Sequence, residues 1–208
     1  MHGATPLAAA QAYGGSGLDR SVYEDAVDAA HSAPSWLDGV VSAYSTYGLA
    51  LFAVLMLVGW WQARNEDGGQ AVKALAAPVL TVIAFAVSTA LKQAVHENRP
   101  CRSLHVITLE ACPAPGDWSF PSNHATAAAA AAVALCFVST RLGAIATVLA
   151  LAMAVSRVWV GAHYPHDILA GLAVGALVAL SLGLLVSRHA RATAGLFGRT
   201  RLRLLIAS

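Results

Sequence analysis

Residues 121–157 read PSNHATAAAAAAVALCFVSTRLGAIATVLALAMAVSR. Two apolar stretches, at about 122–139 and 142–158, flank a three-residue connection, Ser139-Thr140-Arg141. Each comes close to the roughly 20 mainly apolar residues that a membrane-crossing helix needs. So short a connection makes the pair an antiparallel hairpin, and its alanine-rich face permits close helix approach. Outward from this pair, three further stretches of the same kind lie at about 43–62, 74–95 and 167–187. The 208 residues are 57% hydrophobic and 12% charged, with a mean hydropathy of +0.61, so the solvent of this chain is lipid rather than water. The expected fold is all-α: a polytopic transmembrane bundle of about five spans, plus a short N-terminal interfacial helix. No second domain and no nucleic-acid partner are expected, and the sequence leaves the oligomeric state open.

The cations fix an orientation. Lys and Arg fall on alternating sides of the five stretches, and an outside N-terminus leaves eight on the inner side: Arg64, Lys73, Arg141, Arg188, Arg191, Arg199, Arg201 and Arg203. Arg20, Lys92, Arg99, Arg102 and Arg157 make five outside. Residues 1–42 then form an extracytoplasmic segment, 43–187 the bundle, and 188–208 a basic tail on the anionic inner leaflet. No cationic region precedes Pro6–Ala10, so a cleaved signal peptide is not expected. Within the first segment, Val22, Ala26, Ala29 and Ala30 recur at helical spacing, which suits a short surface helix over Ser21–His31.

Ionisable residues at the ends of spans need a partner or a purpose, because a charge at the bilayer centre costs roughly 2.5–3.5 kcal/mol. They fall into three groups. Lys92 precedes Arg99-Pro100 by about two helical turns, so both cations can face one anion. Pro121-Ser122-Asn123-His124 opens a span with Ser122 as N-cap, and the free amides of that first turn favour an oxyanion. His124 stands in that turn, placed to give a proton to a leaving oxygen. In the third group, Ser156-Arg157 precedes His163, with Asp167 four residues beyond it. The Arg157 guanidinium can grip two phosphate oxygens. A carboxylate accepting the Nδ1 proton of His163 would leave its Nε2 lone pair free to attack phosphorus. All three groups land on the outer side of the charge-derived topology. A doubly negative phosphoryl group requires such a layer of cations and imidazoles. Nothing in the pattern suggests a carboxylate cage for magnesium, so metal-independent catalysis with no cofactor is expected.

Read together, Lys92-x6-Arg99-Pro100, Pro121-Ser122-Asn123-His124 and Ser156-Arg157-x5-His163-x3-Asp167 resemble the three signature motifs of the type 2 phosphatidic acid phosphatase family, in order over about 76 positions. Asn123 stands where that family usually has glycine. The resemblance implies His163 as the nucleophile forming a phosphohistidine, Asp167 as its orienting partner and His124 as the acid. It implies phosphate binding by Lys92, Arg99, Arg157, Ser122, Asn123 and Ser156. The segment Ser21–Tyr47, the five spans and the run from Ser156 to Gly161 are similar to bacterial undecaprenyl diphosphatases of the bacitracin-resistance type. That similarity implies a multi-pass protein of the bacterial inner membrane, with its site facing outward, acting on a lipid diphosphate of cell-wall carrier recycling. Phosphatidic acid or phosphatidylglycerophosphate is the alternative substrate, and a non-catalytic lipid-phosphate binding or transport protein is the second alternative.

The remaining polar residues carry weaker expectations. Cys101 and Cys112 share an outer loop, where a disulfide can persist, whereas Cys136 reads as a small core residue. Trp60, Trp61 and Trp159 read as interfacial belt residues. His96, His105 and His166 read as loop histidines without a role.

Overall fold

The computed structural model describes residues 13–200 and 203–206; the Pro6–Ala10 stretch and Arg201 lie outside the described residues. Nine helices are present among them. Helix α1 is Ser16–Ser32, α2 Ser35–Tyr47, α3 Leu49–Ala63 and α4 Gly68–Val95. A turn of helix, α5 (Pro100–Ser103), precedes α6 (Asn123–Cys136), α7 (Thr140–Trp159), α8 (Pro165–Phe197) and α9 (Arg203–Ile206). The strands β1 (Tyr13–Gly14) and β2 (Glu97–Asn98) pair in parallel.

Three described helices, α4, α7 and α8, are long and apolar enough to cross a membrane. A fourth crossing is available if α2 and α3, bent by 56° at Gly48, count as one. The expected span at 122–139 is shorter than its apolar stretch: α6 has 14 residues, about 21 Å of rise against a hydrocarbon core of roughly 30 Å. Its position accounts for this. The run Ala125–Ala132 is buried throughout, with α4, α7 and α8 packed around it, so α6 is a central helix that meets protein on nearly every side.

Small residues permit that packing. On α8, Gly171 and Gly175 face α6, and a Cβ at Gly175 would sit 2.2 Å from the Thr126 carbonyl oxygen. Backbone-to-backbone approach of this kind drives helix association where lipid removes the hydrophobic force. The opposite faces of α3, α4, α7 and α8 expose Leu57, Val82, Val148 and Leu177, as lipid-facing surfaces do. Helix starts follow their caps. The Asp67 side chain accepts from Gln70 N at 2.8 Å at the start of α4, and Ser122 Oγ accepts from Ala125 N at 3.4 Å at the start of α6.

Several expectations need correction. The surface helix is longer than Ser21–His31, and it docks through Tyr23 and Val27, which are buried against Tyr164, Leu104, Val106 and Val158, with Ala30 buried on the same face. Val22 and Ala29 are exposed, because the buried stripe at i, i+4 and i+7 starts from Tyr23, one position on from Val22. Helix α8 does not end near 187 but runs to Phe197, so Arg188 and Arg191 belong to its last turns; Ile206 of α9 packs on Ala71, Val72 and Ala190. Cys136 is exposed rather than core, since it ends α6.

Candidate active site

The C-terminal end of α4, the N-termini of α6 and α8 and the C-terminal end of α7 meet at one end of the bundle. Lys92, Arg99, Ser122, Arg157, His163 and Asp167 are all buried there. Arg64, Lys73, Arg141, Arg188 and Arg191 belong to the opposite helix ends. His163 lies in the turn between α7 and α8, where Gly161 has φ +79°, a backbone conformation that side chains disfavour. A Cβ at Gly161 would also lie 2.3 Å from Thr108 Cγ2. That turn aims the His163 ring inward.

The imidazole is 2% exposed, and polar groups face both of its nitrogens. Nδ1 lies 3.3 Å from Asp167 Oδ2 and 3.4 Å from Ser119 Oγ, and Nε2 lies 3.3 Å from Arg99 Nη1. Asp167 is fully buried and stands at N3 of α8. Its Oδ2 accepts from Tyr164 N at 2.9 Å and from Ser119 Oγ at 2.5 Å. Helix capping and imidazole orientation are therefore one arrangement, because the carboxylate that closes the first turn is also the one that faces Nδ1. Burial, foremost, then the charges of Arg99, Lys92 and Arg157 hold His163 well below the ordinary imidazole range. A neutral ring with its proton at Nδ1 carries a lone pair at Nε2.

The three cations surround this ring. Lys92 Nζ donates to the carbonyls of Trp118 and Ser119, the latter at 3.2 Å. Arg99 donates through Nη1 to Ala162 O at 2.9 Å, through Nε to Asp117 O at 3.0 Å and through Nη2 to Asp117 Oδ1 at 2.9 Å. Arg157 Nη1 donates to Ser45 Oγ and to both oxygens of Glu110, at 3.2 and 3.0 Å. Its Nε is buried and has no hydrogen-bond partner among the described residues. Buried cations without counter-charge would be costly. Glu110 and Asp117, both from the segment between α5 and α6, supply it. Cys101 and Cys112 are bonded in the same region.

Other expected site residues sit nearby in less direct roles. His124, half-buried in the first turn of α6, lies in the field of Arg157, Glu110, Arg99 and Lys92. The Ser122 hydroxyl caps α6. Asn123 accepts from Ser88 Oγ at 2.6 Å, and its amide donates to Thr89 Oγ1 at 3.4 Å, so this side chain bonds α4. The Ser156 hydroxyl donates to Met153 O at 2.8 Å, back onto its own helix.

Sequence reasoning passed over Ser45, Glu110, Asp117 and Ser119, all of which touch these groups. It also gave His166 no role, yet this ring bonds Asp19 and Glu97. The one signal in the chain was the presence of acidic residues close to the motif cations. Among the described residues, a single group of three could hold a metal ion: Glu97, His166 and Asp167, with donor atoms within 4.8 Å of one another.

A family model described as PAP2 superfamily matches residues 73–191, more than half of the chain and all three motif groups. The chain belongs to the PAP2 superfamily. It is 28% identical to undecaprenyl-diphosphatase BcrC of Bacillus subtilis over 144 residues, 69% of this chain and 72% of that protein. Lipid A 1-phosphatase of Rhizobium etli is 35% identical over 133 residues, 61% of this chain and 56% of that one. The crystal structure of Aquifex aeolicus LpxE shares the fold, with a TM-score of 0.58 at 21% identity over 81% of this chain and 95% of that one. As a PAP2 protein with several apolar helices, the chain is a multi-pass membrane lipid phosphatase.

Proposed function

We propose that this PAP2 phosphatase removes the terminal phosphate of a polyprenyl diphosphate, undecaprenyl diphosphate foremost, in the recycling of the cell-wall carrier. The observation that carries the chemistry is the buried His163 ring, with Asp167 at Nδ1 and Arg99 at Nε2. In the first step Nε2 attacks phosphorus, the bridging P–O bond breaks, and His124 gives a proton to the departing oxygen. In the second, His124 takes a proton from water, the hydroxide attacks phosphorus, and the P–N bond breaks to free His163. Lys92, Arg99 and Arg157 hold the equatorial oxygens, where charge spreads in the transition state. The first-turn amides of Asn123 and His124 favour the same anion, the Ser122 amide being bonded to Asp167 O. An incoming phosphoryl group takes the Nε–H of Arg157, unpartnered among the described residues, together with Nη2 on the same edge of the guanidinium, in a two-point grip.

Substrate class rests on surroundings and on relatives. A groove of about 510 Å³ between α2 and α7, lined by Val40, Val41, Tyr44, Leu151, Val155 and Ser156, is almost wholly apolar and ends one residue from Arg157. It suits a hydrocarbon tail whose headgroup reaches the cations. The relative named undecaprenyl-diphosphatase points to a polyprenyl diphosphate. The cationic helix ends opposite the site favour a cytoplasmic position for that end of the bundle, which would turn the site to the outer face of the inner membrane.

The deciding experiment compares phosphate release from a C55 polyprenyl diphosphate and from a diacylglycerol phosphate, using purified protein in the same detergent. Higher kcat/KM on the polyprenyl diphosphate is expected, and preference for the diacylglycerol phosphate would overturn the substrate assignment. Arg157→Lys is expected to lower kcat/KM by about 100-fold, since a point charge loses one or two charged hydrogen bonds to the phosphoryl group. Steady-state kinetics of that variant check the value.

A further inference from the structure

His166 lies outside the ring of groups that would touch phosphate, yet three carboxylates converge on it. Asp19, on α1, accepts from the His166 backbone N–H at 2.6 Å, and its Oδ1 lies 2.9 Å from Nδ1. Glu97 Oε1, on β2, lies 2.9 Å from Nε2, and Asp167 Oδ1 lies 3.5 Å from the same nitrogen. Tyr164 and Phe120 stack near the ring, with centroids at 5.3 and 6.0 Å. Asp19, Glu97, Asp167 and Tyr164 are the titratable groups facing it among the described residues.

A neutral imidazole has one N–H, whereas here a carboxylate oxygen lies at hydrogen-bond distance from each ring nitrogen. Ionised carboxylates only accept, so both nitrogens must donate and the ring is cationic. The burial of its partners demands the same. Glu97 is 2% exposed and Asp167 0%, and two buried carboxylates this close cannot both stay ionised without a positive charge between them. Asp167 Oδ1, the oxygen nearest the imidazolium, has no hydrogen bond among the described residues, so charge alone compensates it. The N-terminal segment closes over the cluster: Tyr13 pairs with Glu97, and a Cβ at Gly15 would sit 2.0 Å from Glu97 Oε1 and 2.8 Å from His166 Cε1.

We propose that His166 is a positioning residue for the phosphatase reaction: its imidazolium is the counter-charge that keeps Asp167 ionised, and through Asp167 it fixes the tautomer and aim of His163. Asp19 makes helix α1 part of the same support. The inference rests on the reading of His163 as nucleophile. Without the cation, Asp167 beside Glu97 takes up a proton at higher pH. A protonated Asp167 no longer holds the proton on His163 Nδ1, and the attacking lone pair at Nε2 is lost.

The test is the pH dependence of kcat and KM for phosphate release by the full chain in detergent. In His166→Gln the acid limb of kcat is expected to move up by about one pH unit, about tenfold less activity on that limb, with KM little changed. His166→Lys keeps a cation and should restore most of the limb. The double variant His166→Gln with Glu97→Gln removes the competing carboxylate and should also bring the limb back, which a packing role for His166 would not do. Should His166→Gln fail to fold, Glu97→Gln alone decides, because loss of that neighbour is expected to move the limb down. An unshifted limb in whichever of these single variants folds, or no recovery in the double variant, overturns the proposal. So does a wild-type enzyme inactivated by EDTA and revived by zinc or manganese, which would put a metal in place of the proton. Activity surviving in His163→Ala would instead defeat the underlying reading of the nucleophile.

Discussion

Replacing His163 by alanine is expected to lower phosphate release by a factor of about 10⁴ or more, as loss of a nucleophile does when oxyanion stabilisation and binding remain. The cations stay in place in this variant, so substrate should still bind, and the loss should appear in kcat rather than KM. Rapid base quenching, which spares the acid-labile P–N bond, with substrate ³²P-labelled at the transferred phosphate gives a second readout: labelled protein from the wild type and none from the variant. The wild-type pH profile carries the sign of the histidine's environment. An imidazole of ordinary basicity is about half protonated near pH 6.5 and loses its attacking lone pair below that. Burial and the cations Arg99, Lys92 and Arg157 keep His163 neutral there. Activity is therefore expected to persist as the pH falls through 6.5 as far as this group is concerned. An acid limb shown to belong to His163 near 6.5 would contradict the geometry.

His124→Ala is expected to cost about 10²–10⁴-fold, the usual range for a general acid. The size of the loss should depend on the leaving group. A lipid alkoxide needs the proton more than the phosphate leaving a diphosphate, and an activated aryl phosphate needs it least. Measuring the variant on these three substrates checks the assignment. An equal loss on all three would show that His124 acts through structure and not by proton transfer.

Some of this molecule follows from local pattern. Hydropathy and the three-residue connection at Ser139 bring out the helices, since lipid requires every backbone group to bond within its own segment. The order of Lys92, Arg99, His124, Arg157, His163 and Asp167 was legible because each lies at the end of an apolar stretch, where a charge stands out. The four-residue step from His163 to Asp167 was legible because both fall within one turn of a helix start. Other features were not. The length of α6 could not be read from its alanines, because a helix enclosed by α4, α7 and α8 need not match the bilayer.

The chain by itself thus determined its solvent, its helices and the chemical identity of the groups at one end of the bundle, all of which depend on near neighbours in sequence. Tertiary structure alone decided which carboxylates answer those groups. Glu110 meets Arg157 across 47 positions, Glu97 meets His166 across 69, and Asp19 meets it across 147. A buried charge takes whatever partner the packed helices bring within about 3 Å, and no spacing along the chain encodes that encounter.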